Sequence, residues 1–219
     1  MEPLSQLPYE ASDLPQILPI AIPAFFGLLV LCLDLYLDPR KSKTPLALIN
    51  AVACVLTAFA ALALWNGDHD TLVMGGSLVT SGFSAALALG ILVGTTLIGF
   101  ATAHHGNPGQ TLAHGELYGL MLFGTAGALA LCVANDLVTF FVALETLSIC
   151  VYALTGADRR RARSAEGSMK YFILGAFSSG FLLYGMSLIY GATGSMRLDE
   201  IALATLTPNL RPLATTGGI

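Results

Sequence analysis

Asp136-Leu-Val-Thr-Phe-Phe-Val-Ala-Leu-Glu-Thr-Leu-Ser-Ile-Cys-Val-Tyr-Ala-Leu-Thr155 is an apolar stretch with a glutamate, Glu145, at its middle. At 1.5 Å per residue it is ~30 Å long, the thickness of a bilayer's hydrocarbon layer, so it reads as a membrane-spanning helix. Glu145 then lies ~13 Å from the Asp136 end, near the membrane centre. A charged carboxylate at that depth costs at least ~2.5 kcal/mol, so it is protonated, paired or turned toward water inside a bundle. By default such a residue is a candidate for moving protons or ions.

The rest of the chain fits that reading. Its 219 residues are 55% hydrophobic and 11% charged, whereas a soluble domain carries about 25% charged residues. Six spans are predicted, at 16–37, 44–65, 80–103, 115–134, 136–155 and 165–190, with a seventh beginning near Pro212. The expected fold class is therefore all-α, a polytopic transmembrane helix bundle of six spans plus the start of a seventh. Residues 1–111 hold spans one to three, and 112–219 hold spans four to six with the start of the seventh.

The basic residues sort by loop. Arg40, Lys41 and Lys43 lie between spans one and two, and Arg159, Arg160, Arg161 and Arg163 between spans five and six. The positive-inside rule puts both loops in the cytoplasm and the N-terminus outside. Met1 to Pro15 has no Lys or Arg and carries Glu2, Glu10 and Asp13, so it does not read as a cleavable signal. Pro15, Pro19 and Pro23 predict a kinked or unwound outer end for span one. Asn135-Asp136 makes a tight hairpin between spans four and five, with Asn135 as the expected N-cap. Gly90/Gly94, Gly175/Ser179 and Ala176/Gly180 are small residues four apart, expected to let helices approach closely.

Some chemistries are excluded. Cys32, Cys54, Cys132 and Cys150 all lie inside spans without a C-x-x-C pair, so they read as small buried hydrophobes. No phosphate loop, nucleophile elbow or nucleic-acid signature is present. His104, His105 and His114 share a loop but lack the Cys or carboxylate spacing of a metal site. No residue reads as catalytic or metal-ligating. The arginine run reads as a topology anchor that also suits anionic lipid or a partner.

The polar residues of the spans carry what chemistry there is. Ser148 and Tyr152 follow Glu145 at +3 and +7, on one helix face that can hold water or pass a proton. The structural alternative is a protonated Glu145 hydrogen-bonded to a neighbouring helix. Lys170 lies about two turns into span six if Ser164 is the N-cap, and a buried lysine suits proton transfer. Alternatively it pairs with Glu166, four residues earlier, or snorkels to the surface. Glu116 opens span four, where the helix dipole alone explains a carboxylate. It is also placed to form the mouth of a path to Glu145. Asp34 lies near Arg40 and Lys41 and reads as half of an interfacial ion pair.

Leu117 to Gly194 resembles one family. The carrying residues are Ala134-Asn-Asp-Leu137, Ala143-Leu-Glu-Thr-Leu-Ser148, Ser164-Ala-Glu-Gly-Ser-Met-Lys-Tyr-Phe-Ile-Leu-Gly-Ala176 and Ser179-Gly-Phe-Leu-Leu-Tyr-Gly-Met-Ser-Leu-Ile-Tyr-Gly-Ala-Thr-Gly194. They are similar to subunit N of bacterial NADH-quinone oxidoreductase, respiratory complex I, over that subunit's N-terminal portion, and to mitochondrial subunit 2. Sister subunits L and M share a mid-span glutamate but not the Lys-Tyr-Phe segment. The resemblance implies an antiporter-like fold, no redox cofactor on this chain, and NADH, FMN, iron–sulfur clusters and quinone in partner subunits. It implies a proton pathway through Glu145 and Lys170, with Glu145 paired to a lysine of the seventh span. The family has about fourteen helices, so the chain is expected to be a truncated chain or one piece of a split subunit.

Three functions remain in contention. The first is a proton-translocating membrane subunit of NADH:quinone oxidoreductase in the bacterial inner membrane. Its partners would be other complex I membrane subunits, the lipid bilayer and the quinone pool, with no nucleic acid. The second is a subunit of a monovalent cation/proton antiporter. The third is a fragment that packs but transports nothing.

Overall fold

Each of the six apolar runs forms one helix long and apolar enough to cross a membrane. They are α1 (Leu14–Tyr36), α2 (Thr44–Ala63), α3 (Gly82–His105), α4 (Glu116–Val133), α5 (Leu137–Thr155) and α6 (Ala162–Thr193); a short α7 (Leu198–Thr205) follows. The computed structural model describes residues 13–36, 44–64, 71–105, 115–158 and 160–205. The seventh span expected near Pro212, and Arg40 and Lys41 opposite Asp34, lie outside the described residues.

The spans alternate in direction. One end of the bundle carries the α4–α5 and α6–α7 turns, and the other carries the α5–α6 arginine loop. Residues 71–79, expected as part of a loop, form a hairpin with Thr80. Strands β1 (Thr71–Val73) and β2 (Leu78–Thr80) pair antiparallel, Val73 opposite Leu78. Pairing of Thr80 with Thr71 delays the start of α3 to Gly82. The turn needs left-handed backbone, supplied by Gly75 and Gly76 with Met74 also at positive φ. This hairpin is the only strand pair among the described residues, and isolated bridges join Leu78 to Ala134 and Asp136 to Arg197.

α4 is the hub, packing between α1 and α5. Glycines permit both approaches. A Cβ on Gly27 of α1 or Gly119 of α4 would stand 3.2 Å from the other residue's carbonyl oxygen. On the opposite face, Gly124 and Gly127 meet Cys150, Leu147, Ala143 and Thr146 of α5. Val30, Leu46, Ala53, Tyr118 and Leu122 form a buried cluster between α1, α2 and α4. α6 leans on α5 and buries only Met186.

Several local expectations are corrected. The N-cap of α5 is Asp136 and not Asn135: its Oδ1 accepts from Thr139 N at 2.8 Å and its Oδ2 from Thr139 Oγ1 at 2.6 Å. Asn135 is occupied elsewhere, its Nδ2 donating to Gly76 O at 2.9 Å. α6 begins at Ala162, so Ser164 lies inside it and donates to Thr155 O at 2.7 Å. Of the kinked or unwound outer end expected for span one, unwinding is absent: α1 runs unbroken through Pro19 and Pro23. Pro23 is buried, and packing there offsets the hydrogen bond that a mid-helix proline removes. Gly90, Gly94 and Gly180 meet nothing within 4 Å, so their small-residue steps join no helices among the described residues.

Candidate functional site: the α5–α6 seam

Capping by Asp136 fixes where α5 starts, and counting from there turns Glu145 toward α6. The Ser179 hydroxyl of α6 donates to Glu145 Oε1. A hydroxyl both donates and accepts, and a carboxyl does the same once protonated, so this pair accommodates either state of Glu145. The carboxylate is half-buried rather than sealed. It sits at the level of Gly127 of α4, because that glycine touches Ala143, Thr146 and Leu147 around it.

Ser148 and Tyr152 continue the face. Ser148 is half-buried and Tyr152 buried. The Tyr152 ring packs edge-on against Tyr171 and Phe172 of α6, with centroids 4.7 and 5.9 Å away. Its hydroxyl reaches Gly175, where a Cβ would overlap it. Ser168 Oγ donates to the Tyr152 carbonyl at 2.7 Å. Ser168, Gly175 and Ser179 are seven and four residues apart, so one stripe of α6 faces α5. Ser179 joins the site although only its small size was read from the sequence. Its four-residue step from Gly175 was the usable signal.

Lys170 is on the other side. It is nine residues before Ser179, two and a half turns, which puts it roughly 180° around α6. Its Nζ pairs with Glu166 Oε1 at 2.5 Å, both side chains about two-thirds exposed. The i, i+4 pair expected as an alternative is therefore formed, and Lys170 is not brought to Glu145. Glu116 is half-buried in the first turn of α4, after Gly115, which gives no side-chain cap. It is eleven residues from Gly127, so it lies ~16 Å along the axis from the level of Glu145. The Asp34 carboxylate fills the space beside Gly115, where a Cβ would overlap it. The side chains of the three loop histidines lie outside the described residues. Among the described residues no His, Cys, Asp and Glu cluster suits a metal.

The opposite end carries a polar clamp that the sequence did not announce. Asn135 N donates to Ser77 O at 2.8 Å, and Leu198 N donates to Asn135 O at 2.9 Å. Leu137 N donates to Met196 O at 2.9 Å. Arg197 Nη1 donates to Gly75 O at 3.1 Å, and its guanidinium lies on Gly76. Asp199 accepts from Arg197 Nη2 at 2.6 Å. That bond holds the Arg197 guanidinium above its ordinary pKa and the Asp199 carboxyl below its own. The start of α5, the end of α6 and the hairpin are thus tied together.

Comparison with known proteins agrees with the membrane-helix fold. Residues 134–216 match a family described as NADH:quinone oxidoreductase/Mrp antiporter, transmembrane. NADH-quinone oxidoreductase subunit N of Trichlorobacter lovleyi is 37% identical over 194 residues, which are 89% of this chain and 39% of the relative. Subunit N of Gemmatimonas aurantiaca is 43% identical over 178 residues, 78% of this chain and 34% of the relative. The chain thus spans under half the length of these curated relatives. A chain in the structure of Thermus thermophilus respiratory complex I with bound aureothin superposes with TM-score 0.70 at 29% identity, over 91% of this chain and 41% of that one. A chain of an archaeal membrane-bound sulfane sulfur reductase shares the fold, with TM-score 0.75 at 24% identity over 94% and 42%.

Proposed function

The chain belongs to the subunit N family of NADH-quinone oxidoreductase, and from that premise we propose that it is a proton-translocating membrane subunit of such a complex, with Glu145 as its membrane-centred proton carrier. The observation that carries the reading is the placement of Glu145. It sits mid-span, half-buried, facing a hydroxyl that serves either protonation state. Ser148 and Tyr152 extend the polar face toward the arginine loop. Glu116 serves as the entry on α4, and water spans the remaining distance. Lys170 acts from the outward face of α6, where an opposing helix replaces Glu166 as its partner.

Partner subunits carry NADH, FMN, the iron–sulfur clusters and the quinone site, and this chain carries no redox group. The chain sits in the bacterial inner membrane with the arginine loop in the cytoplasm and the hairpin outside, which the positive-inside rule supports. Moving one charge across 100 mV costs about 2.3 kcal/mol, so pumping needs redox energy from those partners.

The test is proton uptake driven by NADH oxidation in vesicles holding the assembled complex. Glu145→Gln is expected to lower pumping per NADH oxidised, and Glu145→Asp to lower it less. Equal pumping by wild type and Glu145→Gln would sink the reading. The matched family's description also names the Mrp antiporter, which favours one second reading, a monovalent cation/proton antiporter subunit. Under it, Na⁺- or K⁺-dependent proton exchange would proceed without NADH or quinone.

A further inference from the structure

An apolar groove runs along the surface of α3, α4 and α5. Two adjoining cavities of about 210 and 420 Å³ make it up. They share Ile98, Met121 and Leu154; the inner end reaches Leu147, and the outer end reaches Ala157. The Thr95 and Thr125 hydroxyls, hydrogen-bonded at 2.9 Å, line its inner half without offering a charge.

Its length identifies an occupant. From Leu147 to Ala157 is ten residues, ~15 Å of helix, half of a ~30 Å hydrocarbon layer. The groove therefore spans one leaflet, the length of a lipid acyl chain, from mid-membrane to the arginine loop. The chemistry at its mouth is cationic. Asp158, next to Ala157, holds Arg161 at 3.0 Å. Arg160 and Arg163 are exposed, and neither has a side-chain ion pair among the described residues. α6 starts there without a side-chain cap, which adds the positive end of its dipole.

We propose that this groove is a binding site for an anionic phospholipid, with an acyl chain along Met121 and Leu154 and its phosphate against Arg160 and Arg163. A zwitterionic lipid fills the same groove but gains less from the arginines. The site is separate from the α5–α6 seam and holds whether or not Glu145 carries protons.

The test uses the assembled complex in its membrane with two photoreactive lipids. Phosphatidylglycerol and phosphatidylcholine analogues carry the same diazirine on the acyl chain, and labelled residues are mapped by mass spectrometry. Phosphatidylglycerol is expected to label Ile98, Met121 and Leu154 several-fold more than phosphatidylcholine. Arg160→Glu with Arg163→Glu is expected to lower phosphatidylglycerol labelling roughly tenfold and leave phosphatidylcholine labelling unchanged. Thr102→Trp, which fills the outer end, is expected to lower both. Equal labelling by the two lipids would overturn the proposal. So would labelling indifferent to the charge reversal, or crosslinks at these residues to a partner subunit in place of lipid.

Discussion

Replacing Gly127 with alanine tests the contact that sets the depth of Glu145. A Cβ there would stand 2.8 Å from Leu147 N, 3.0 Å from Ala143 O and 3.2 Å from Thr146 Cβ. Ordinary contacts begin near ~3.5 Å. Two of the three atoms are backbone and cannot rotate away, so α4 and α5 must part by roughly half an ångström. A gap of that size forfeits about a quarter of the dispersion energy of each contact it opens. Overpacking of this kind costs about 1–3 kcal/mol. Alanine also gains about 1 kcal/mol over glycine in helix propensity. Gly90→Ala shares that gain but meets nothing within 4 Å, so the difference between the two variants isolates the steric cost. The assay is unfolding of the purified chain in mixed detergent micelles, followed by circular dichroism. Gly127→Ala should unfold about 1–3 kcal/mol more easily than Gly90→Ala. Agreement within about 0.5 kcal/mol would refute the packing argument.

Asp136→Ala removes both acceptors at the start of α5 and should cost about 1–2 kcal/mol in the same assay, with Asn135→Ala affecting the hairpin instead. Arg197→Ala should speed amide exchange through β1 and β2 while leaving α4 protected. Acid should act likewise. Arg197 lowers the Asp199 pKa, so the ionised pair is complete above the ordinary aspartate range of about 3.9 and is lost as pH falls through the lower folded value. Hairpin exchange that stays unchanged on this titration would contradict the clamp. Lys170→Met removes an exposed ion pair and should shift stability by no more than about 1 kcal/mol; a larger loss would reveal a partner beyond Glu166.

The six spans were legible because lipid demands long uninterrupted apolar runs, and the helix bounds differ from the expected ones by only a few residues. Glu145 and its shared face with Tyr152 were legible from helical periodicity alone. Other features depend on which helix neighbours which, and periodicity is silent there. Ser179 became a partner of Glu145 only once α6 packed against α5. Lys170 followed its local neighbour Glu166, because i, i+4 geometry is present in the helix before any packing. Gly90 and Gly94 formed the right spacing at positions that meet nothing among the described residues. Asp136 took the cap because Asn135 was needed by the hairpin, a contact 59 residues distant in sequence.

The central claim is that Glu145 changes protonation during turnover, and infrared difference spectroscopy of the assembled complex reads that directly. A carboxyl C=O band should appear or vanish when NADH oxidation starts, shift on exchange into deuterated water, and be missing in Glu145→Gln. A difference spectrum in which wild type and Glu145→Gln show the same carboxyl bands would contradict the account.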